Sequence, residues 1–231
     1  MALIDPGRTT PNEIIAAHEL YRFYHTGDDE TLALRGVSLR VLAGEALAIV
    51  GPSGSGKSTL LACLCGIDEP DGGFVTVKSR RLTRRPEPER AAIRATSIGM
   101  LLQSGNLFDH LSVEENVRLQ FDLRRASARD GPADLLDIVG LAHRRRARPS
   151  QLSGGEAARA GLAVALAAAP PLLLADEPTA EVDAQTEQRV LGLLDEHRRA
   201  GGATIVATHS NAVAAWADRI IRLADGRVAV A

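Results

Sequence analysis

Aromatic residues are scarce in this chain of 231 residues, of which only 3% is Phe, Trp or Tyr. The core must therefore be built from Leu, Val, Ile and Ala, and the hydrophobic share of 45% is enough for one large domain. Lysine is scarce too, since only Lys57 and Lys78 are lysine among 27 Lys and Arg residues. A compact ammonium kept in an arginine-rich chain indicates a role that a planar guanidinium does not fill.

Cysteine is limited to two residues, Cys63 and Cys65. Both fall on a predicted helix, where residues two apart face different directions, so we expect neither a disulfide nor a shared metal ion. We interpret them as small apolar core residues of a protein in a reducing compartment.

A strong excess of either charge is also missing, because the net charge is −2 and the pI is about 6.3. A nucleic-acid-binding surface would show as a basic balance, so no nucleic-acid partner is expected. No signal peptide is recognisable. The longest apolar stretch, 160–175, is interrupted by Pro170 and Pro171 and is shorter than the roughly 20 residues that a spanning helix needs. We expect a soluble, cytoplasmic chain that reaches a membrane only through a partner.

What the chain does contain is a complete phosphate-binding pattern, G-x-x-x-x-G-K-[ST]. The apolar run 46–50 before it predicts a buried strand, and 59–64 after it predicts a buried helix, which is the context that the pattern requires. We call it the phosphate loop; its residues are Gly51, Pro52, Ser53, Gly54, Ser55, Gly56, Lys57 and Ser58.

The parts of this loop have distinct predicted roles. Its glycines let the backbone curl so that successive N–H groups point at one anion. The helix that begins at Lys57 adds the positive end of its dipole. Lys57 is expected to bridge the outer phosphates of a nucleotide, and the Ser58 hydroxyl is expected to bind Mg²⁺.

Two acids follow another buried strand, Leu172–Ala175. Asp176 at the end of that strand is expected to face the phosphate loop and hold Mg²⁺, directly or through water. Glu177, one residue further, is suited to polarise an attacking water as general base. Acids after a strand also commonly begin helices, but Pro178 follows here and the apolar strand is uninterrupted.

A second candidate phosphate site lies at residues 152–156, which are Leu152, Ser153, Gly154, Gly155 and Glu156. Ser153 and the glycines begin a predicted helix that runs to Ala169, whose first N–H groups are free to bind an anion. One nucleotide cannot sit in two distant phosphate sites of one chain unless two chains face each other. The pattern therefore predicts a head-to-tail pair, although a simple helix cap is the plainer interpretation of Ser-Gly-Gly alone.

The order of elements predicts an α/β fold in which strands alternate with helices. A capping box at Ser112 and Glu115 predicts a helix to about Arg125. A second amphipathic helix is predicted over 130–141. Since no strand is predicted over 104–158, this stretch is interpreted as a helical insert. The other predicted strands span 13–24, 31–42, 74–77, 97–102, 203–207, 220–223 and 228–230, and the other helices 57–66 and 183–199.

Taken in order, these motifs resemble the nucleotide-binding subunit of ABC transporters, over about residues 18–230. The resemblance implies a P-loop NTPase core of the RecA-like type with an antiparallel β subdomain and an α-helical subdomain. It implies ATP and Mg²⁺ as ligands, with 1–12 as a flexible tail and 13–231 as the ATP-binding domain. It adds Tyr24 as an adenine-stacking residue and Thr59 to the nucleotide-binding set.

Three further roles are implied by the resemblance. Gln103 looks like the family's glutamine that touches Mg²⁺ and the attacking water. Asp183 resembles the acid of the dimer loop, and His209 resembles the switch histidine that contacts the γ-phosphate. Residues 152–156 look like the family's signature segment, which closes on the partner's nucleotide.

The phrases around 24–28, 34–39 and 225–228 look like the macrolide-export, lipoprotein-release and cell-division group. Some positions depart from the common pattern, though none removes a catalytic group. The departures are Glu156 in place of Gln, Ala157-Ala158, Val164, Glu181-Val182 and Ser210.

The function implied is an ATP-hydrolysing subunit that dimerises around two ATP and drives a polytopic membrane permease, with export or extraction of a substrate. It would be peripheral on the inner face of the cell membrane, with a second copy of itself as partner. Two alternatives stay open. One is a nucleotide-gated signalling scaffold that regulates a cell-wall hydrolase, and the other is a soluble ABC ATPase of DNA repair or translation.

Two surface features are open to two interpretations. Leu107, Phe108, Leu111 and Val113 are candidates for a groove that docks the membrane partner, or they are ordinary subdomain core. The arginine-rich run 144–148 contacts acidic headgroups or an acidic partner, or it is a solvated helix end, which we favour.

Overall fold

The computed structural model describes residues 12–26, 29–124, 131–167, 169–180 and 182–229. The predicted tail up to residue 11, the turn at 27–28, Glu181 and the ends of some predicted elements (130, 168 and 230) lie outside this part.

One sheet is antiparallel and has four strands in the order β2-β1-β4-β5. The pairing of β1 with β2 runs from Glu13 opposite Leu42 to Thr26 opposite Asp29, with several register shifts. Strand β5 was not predicted from the sequence, because two arginines carry no strand pattern. The strands are β1 (Glu13–Thr26), β2 (Asp29–Leu42), β4 (Gly72–Val77) and β5 (Arg80–Arg81).

The other sheet has six strands in the order β10-β9-β3-β8-β7-β6 and is parallel except for the final hairpin. Its middle strands are buried on both faces, as their continuous apolar runs predict. The strands are β3 (Ala46–Val50), β6 (Ile98–Leu101), β7 (Leu172–Asp176), β8 (Ala203–Thr208), β9 (Arg219–Ala224) and β10 (Arg227–Val228).

Seven α-helices surround the sheets within the described residues. They are α1 (Lys57–Leu64), α2 (Glu87–Ser97), α3 (Val113–Arg124), α4 (Pro132–Ile138), α5 (Gly154–Leu166), α6 (Ala184–Arg199) and α7 (Asn211–Trp216), with 3-10 turns at Ala142–Arg144 and Pro149–Gln151.

Three helices differ from the prediction for identifiable reasons. Helix α4 is shorter, because Pro132 occupies its first turn and Gly140 (φ +72°) follows its end. Helix α2 includes Ser97, which was assigned to the next strand. Helix α7 was missed, because six residues capped by Ser210 are too few to show a helical period.

Two apolar clusters lie on opposite faces of the six-stranded sheet. Alternate residues of β7 supply them, with Leu172 and Leu174 in one and Leu173 and Ala175 in the other. The first cluster also packs α1 and the antiparallel sheet, and the second packs α3 to α6. This packing holds the carboxyl ends of β3, β6, β7 and β8 at one edge, where ligands of open α/β sheets bind.

Both cysteines belong to the first cluster, are buried and form no disulfide. Burial raises the pKa of Cys63 to about 12 and that of Cys65 to about 11, as expected for core thiols. None of the helices described here has both the length and the apolar character required to span a bilayer.

Candidate functional site

The phosphate loop connects β3 to α1 in a left-handed curl. Gly54 and Gly56 have φ angles of +77° and +102°, which L side chains rarely adopt. The Lys57 ammonium donates to the carbonyl oxygens of Gly51 at 2.8 Å and Pro52 at 3.1 Å. The ammonium therefore lies over the loop, on the side where the curled backbone forms its concavity.

Asp176, the last residue of β7, meets Ser58 of α1 across this edge of the sheet. Burial raises the pKa of the Asp176 carboxyl, a hydrogen bond with Ser58 opposes that rise, and the charge of Glu177 adds to it. A hydroxyl and a carboxylate side by side are oxygen donors of the kind that Mg²⁺ prefers.

Glu177 and His209 form a pair at the ends of neighbouring strands. The His209 Nδ1 lies 2.9 Å from Glu177 Oε1, and the His209 backbone N–H donates to Oε2 at 3.3 Å. Glu177 has a φ of +50°, which is uncommon for a residue other than glycine and typical of strained functional positions. The two residues are 32 positions apart in sequence and meet at the same sheet edge because β7 and β8 are adjacent and parallel.

An open cleft of about 810 Å³ brings most of the predicted residues together, within the usual size range of ligand sites. We call it the phosphate-loop cleft. Gln103 lines it from the end of β6, next to Glu177. Its predicted residues are Tyr24, Gly51, Pro52, Ser53, Gly54, Gly56, Lys57, Ser58, Thr59, Gln103, Asp176, Glu177 and His209. Ser55 is buried beneath the loop instead.

Sequence reasoning missed one wall of this cleft. It consists of Thr31, Leu32, Ala33 and Arg35 of β2 with Asp225 and Gly226 of the last turn. Backbone hydrogen bonds hold it, from Gly226 N to Ser55 O (3.1 Å) and from Arg35 N to Gly226 O (2.8 Å). In the sequence, the pair Asp225-Gly226 predicts only a turn. Because it lies far along the chain from the phosphate loop, no local pattern indicates that the two are in contact.

The signature segment, residues 152–156, lies elsewhere. Ser153 caps α5 in a capping box, with Glu156 N donating to Ser153 Oγ (3.2 Å) and Ser153 N donating to Glu156 Oε2 (2.8 Å). The predicted helix start is therefore correct. None of these five residues lines the phosphate-loop cleft.

A separate cleft of about 590 Å³ contains Ser153 to Glu156 together with Asp183, and we call it the signature cleft. Asp183 caps α6, accepting from Thr186 N at 2.7 Å, and this hydrogen bond holds the pKa of its carboxyl below the ordinary value. Leu152 instead packs against the second apolar cluster.

Glu156 is neutralised by a neighbouring arginine. The Arg144 Nε donates to Glu156 Oε1 at 2.8 Å. The Ser153 N–H and then Arg144 lower the pKa of Glu156 to about 2. The carboxylate therefore enters the signature cleft as half of an ion pair.

The arginine-rich run lies at the surface, as expected, but three of its arginines have partners within the chain. Besides Arg144, the Arg145 guanidinium pairs with Asp137 at 2.8 Å, and Arg148 donates to the carbonyl of His110 at 2.6 Å. These contacts join the run to α4 and to the segment before α3, which local charge patterns do not show.

The four apolar docking candidates differ in how far they are buried. Phe108 is 54% exposed and lines a groove of about 310 Å³ with Ile67, Leu102 and Val164; we call this the docking groove. Leu111 is half-buried. Leu107 packs against the second cluster and Val113 is fully buried within it, so for Val113 the core interpretation is the correct one of the two.

Comparisons with known proteins agree with this geometry. The profile of the family described as "ABC transporter" matches residues 34–180. The chain is similar to the lipoprotein-releasing system ATP-binding protein LolD 2 of Caulobacter vibrioides, with 38% identity over 93% of this chain and 96% of that one.

It is likewise 38% identical over 95% of its length to the macrolide export ATP-binding/permease protein MacB of Chlorobium luteolum, of which it spans only about a third (33%). Among solved structures, the dimeric post-hydrolysis state of the ATP-binding cassette MJ0796 bound to ADP and Pi superposes with a TM-score of 0.89 at 33% identity, over 94% of this chain and 97% of that one. The expected fold and the resemblance to lipoprotein-release and macrolide-export relatives are confirmed.

Proposed function

This chain belongs to the ABC transporter family and is an ATP-binding, ATP-hydrolysing subunit; from that premise we propose that two copies of it enclose two ATP molecules. Each ATP would lie between the phosphate-loop cleft of one copy and the signature cleft of the other. Closure on ATP and opening after hydrolysis would then move a polytopic membrane partner on the inner face of the cell membrane.

The observation that carries the proposal is the separation of two phosphate-binding elements on one chain. The phosphate loop supplies Lys57 and the N–H groups of a glycine-rich curl, whereas the signature cleft supplies Ser153, Gly155 and a helix N-terminus. Since none of residues 152–156 lines the phosphate-loop cleft, one nucleotide contacts both only when a second chain provides the other half.

Within the phosphate-loop cleft the residues fit Mg-ATP. Lys57 and the loop N–H groups would hold the β- and γ-phosphates, with Tyr24 stacking on the base. Ser58, Asp176 and Gln103 would hold Mg²⁺, which when bound neutralises charge on the phosphates.

Hydrolysis would depend on Glu177, whose carboxylate would take a proton from water aimed at the γ-phosphate. His209 contacts that carboxylate at 2.9 Å and orients it. Because ATP bound between the chains would contact both, it favours the closed pair, and loss of the γ-phosphate contacts favours opening.

The helical stretch over about 104–158 would carry this movement to the membrane partner. Gln103 at its beginning lines both the phosphate-loop cleft and a neighbouring cleft that reaches Gly154. The docking groove, with Phe108 exposed in it, lies beside Gly105 and Asn106, which follow Gln103 closely. Nucleotide state and groove shape would therefore be linked through a few residues.

A charge placed in the signature cleft tests the two-chain site. Gly155→Asp sits in the first turn of α5, where a carboxylate is favourable to the helix, and its Cβ would lie 3.6 Å from Val182 Cγ1, an ordinary contact. In a Glu177→Gln background, we expect ATP affinity of the single chain to be unchanged and Mg-ATP-dependent dimers to be lost in sedimentation velocity. Gly155→Ala is the matched control, and dimers formed normally by Gly155→Asp contradict the proposal.

The membrane partner is tested by capture from solubilised native membranes with tagged Glu177→Gln chain and Mg-ATP. A polytopic membrane protein should co-purify, and Phe108→Ala should lose it while dimerising normally, because Phe108 is exposed in the groove and absent from both clefts. Leu123→Ala, an equally exposed apolar side chain (63%), is the control. Recovery of the chain alone, or of ribosomal or DNA-bound proteins, contradicts the membrane role.

A further inference from the structure

Tyr24 is held by a cluster of contacts that its proposed stacking role does not require. Its hydroxyl donates to Asp68 Oδ2 at 2.6 Å. The Arg22 guanidinium carbon lies 4.6 Å from the centroid of the ring. Arg22 is in turn fixed to both oxygens of Asp68, with Nε at 2.9 Å from Oδ2 and the NH2 nitrogen at 2.8 Å from Oδ1.

Arg22 pairs with two carboxylates in this cluster, that of Asp68 and, at 3.1 Å, that of Asp71. Burial by itself would raise the pKa of Asp68, but hydrogen bonds from Arg22 and Tyr24 outweigh it, and the pKa lies below its ordinary value. A bidentate Arg–carboxylate pair is the strong, directional form of ion pair. Asp68 is therefore an anionic acceptor with a fixed orientation toward the tyrosine hydroxyl.

The cluster also connects two parts of the fold. Arg22 and Tyr24 lie on β1, whereas Asp68 follows α1, the helix that begins at Lys57. The Asp68 backbone N–H donates to the carbonyl of Ala62 at 3.1 Å, so its position depends on the end of α1. Thr59 in the first turn of the same helix lines the phosphate-loop cleft together with Tyr24.

The two faces of the ring have different surroundings. Arg22 covers one face and does not line the phosphate-loop cleft, whereas Tyr24 does. The other face of the ring is the one left for a base to stack on. The Tyr24 hydroxyl donates its hydrogen bond to Asp68 and so fixes the edge of the ring.

We propose that Asp68 and Arg22 are positioning residues that set the Tyr24 ring against the phosphate loop before the nucleotide arrives. This rests on the proposed stacking of the base on Tyr24. Binding a ligand costs about 0.5–1.5 kcal/mol for each side chain that it must immobilise. A Tyr24 ring that is already immobile avoids this cost, which corresponds to an affinity gain of roughly two- to tenfold. The hydroxyl acts only through this placement.

The test compares binding of ATP with binding of inorganic triphosphate, which has no base, in the full chain. Tyr24→Phe and Asp68→Ala should each weaken ATP binding by roughly two- to tenfold and leave triphosphate binding unchanged. The double variant should lose no more than either alone. KM for ATP should rise with kcat unchanged, and Asp68→Asn, which keeps an acceptor oxygen, should recover part of the loss.

Glu69→Ala is the control, since Glu69 neighbours Asp68 but contacts Arg84 and Arg90. Tyr24→Ala separates the two proposals. If it leaves ATP binding intact, the stacking role fails and the positioning role with it. If it weakens ATP binding while Tyr24→Phe and Asp68→Ala do not, only the positioning role fails. Parallel loss of triphosphate binding overturns the positioning role in favour of a general structural one.

Discussion

The phosphate-loop cleft and the signature cleft each contain the N-terminus of a helix, but they are built in different ways. The first collects groups from the ends of several strands, so Lys57, Asp176 and His209 meet only because β3, β7 and β8 are neighbours. The second is mostly local, since Ser153 and Glu156 cap one helix within four residues. A site that performs chemistry needs groups from many directions, whereas a site that only closes on phosphate needs one helix end.

The two clefts also differ in the partners of their acidic side chains. Two acids of the phosphate-loop cleft, Asp176 and Glu177, form no ion pair with arginine or lysine among the described contacts, and their neighbours are Ser58 and His209. In the signature cleft, Glu156 forms an ion pair with Arg144. The same side-chain chemistry is thus available for reaction in one cleft and structural in the other.

The largest expected effect comes from comparing the same substitution, glutamate to glutamine, made separately in each cleft. Glu177→Gln should lower hydrolysis about 10²–10⁴-fold, the usual contribution of a general base, with ATP binding retained. Glu156→Gln removes the same charge from the signature cleft and should change hydrolysis by no more than about fivefold, because an ion pair whose arginine faces solvent contributes about 1 kcal/mol or less. Phosphate release at saturating Mg-ATP measures both. Equal losses of hydrolysis in the two variants would contradict the different roles assigned to the two glutamates.

A smaller effect is expected from the arginine that neutralises Glu156. Arg144→Gln leaves the carboxylate with only His143, at 3.7 Å, as a basic neighbour where the partner's phosphates would approach. The ATP concentration for half-maximal dimerisation of the Glu177→Gln chain should rise about two- to fivefold. Adding Glu156→Gln should restore it, because the amide oxygen still accepts from Ser153 N.

Arg145→Gln is the matched control for this prediction, since Arg145 belongs to the same run but pairs with Asp137. A similar shift in Arg145→Gln, or failure of the double variant to recover, would show that the charge of Glu156 is not what Arg144 controls.

The smallest expected effect is on stability at acid pH. The pKa of Glu156 is about 2 in the folded chain and ordinary, near 4.5, once unfolded. The unfolded chain therefore binds more protons below about pH 4.5, and the stability that Glu156 contributes above that pH is lost as pH falls toward 2. In urea unfolding followed by circular dichroism, the advantage of the wild type over Glu156→Gln should shrink between pH 5 and 3. A constant difference would mean that the capping box does not hold the charge.

Prediction from sequence succeeded where a signal is local or periodic. The curl at 51–58, the buried strands and the capping boxes at Ser112 and Ser153 all depend on neighbouring residues. It failed for α7 and β5, which are too short to show a period. It left Val113 undecided, because an apolar side chain in a sequence looks the same whether it packs inside or lies in a groove. The far wall of the cleft, including Arg35 and Gly226, escaped because its contacts join distant parts of the chain.

By itself, the sequence determined the family, the α/β order of elements, the two phosphate-binding patterns and the acids at the end of β7. Each of these features is predicted by a short local motif or by a periodic run of residues. Only the tertiary structure decided what those residues touch. It placed Glu177 against His209, bonded Tyr24 to Asp68, paired Glu156 with Arg144 and put the phosphate loop and the signature segment in separate clefts. Such contacts depend on strand order and helix packing, which bring together residues that no local pattern relates.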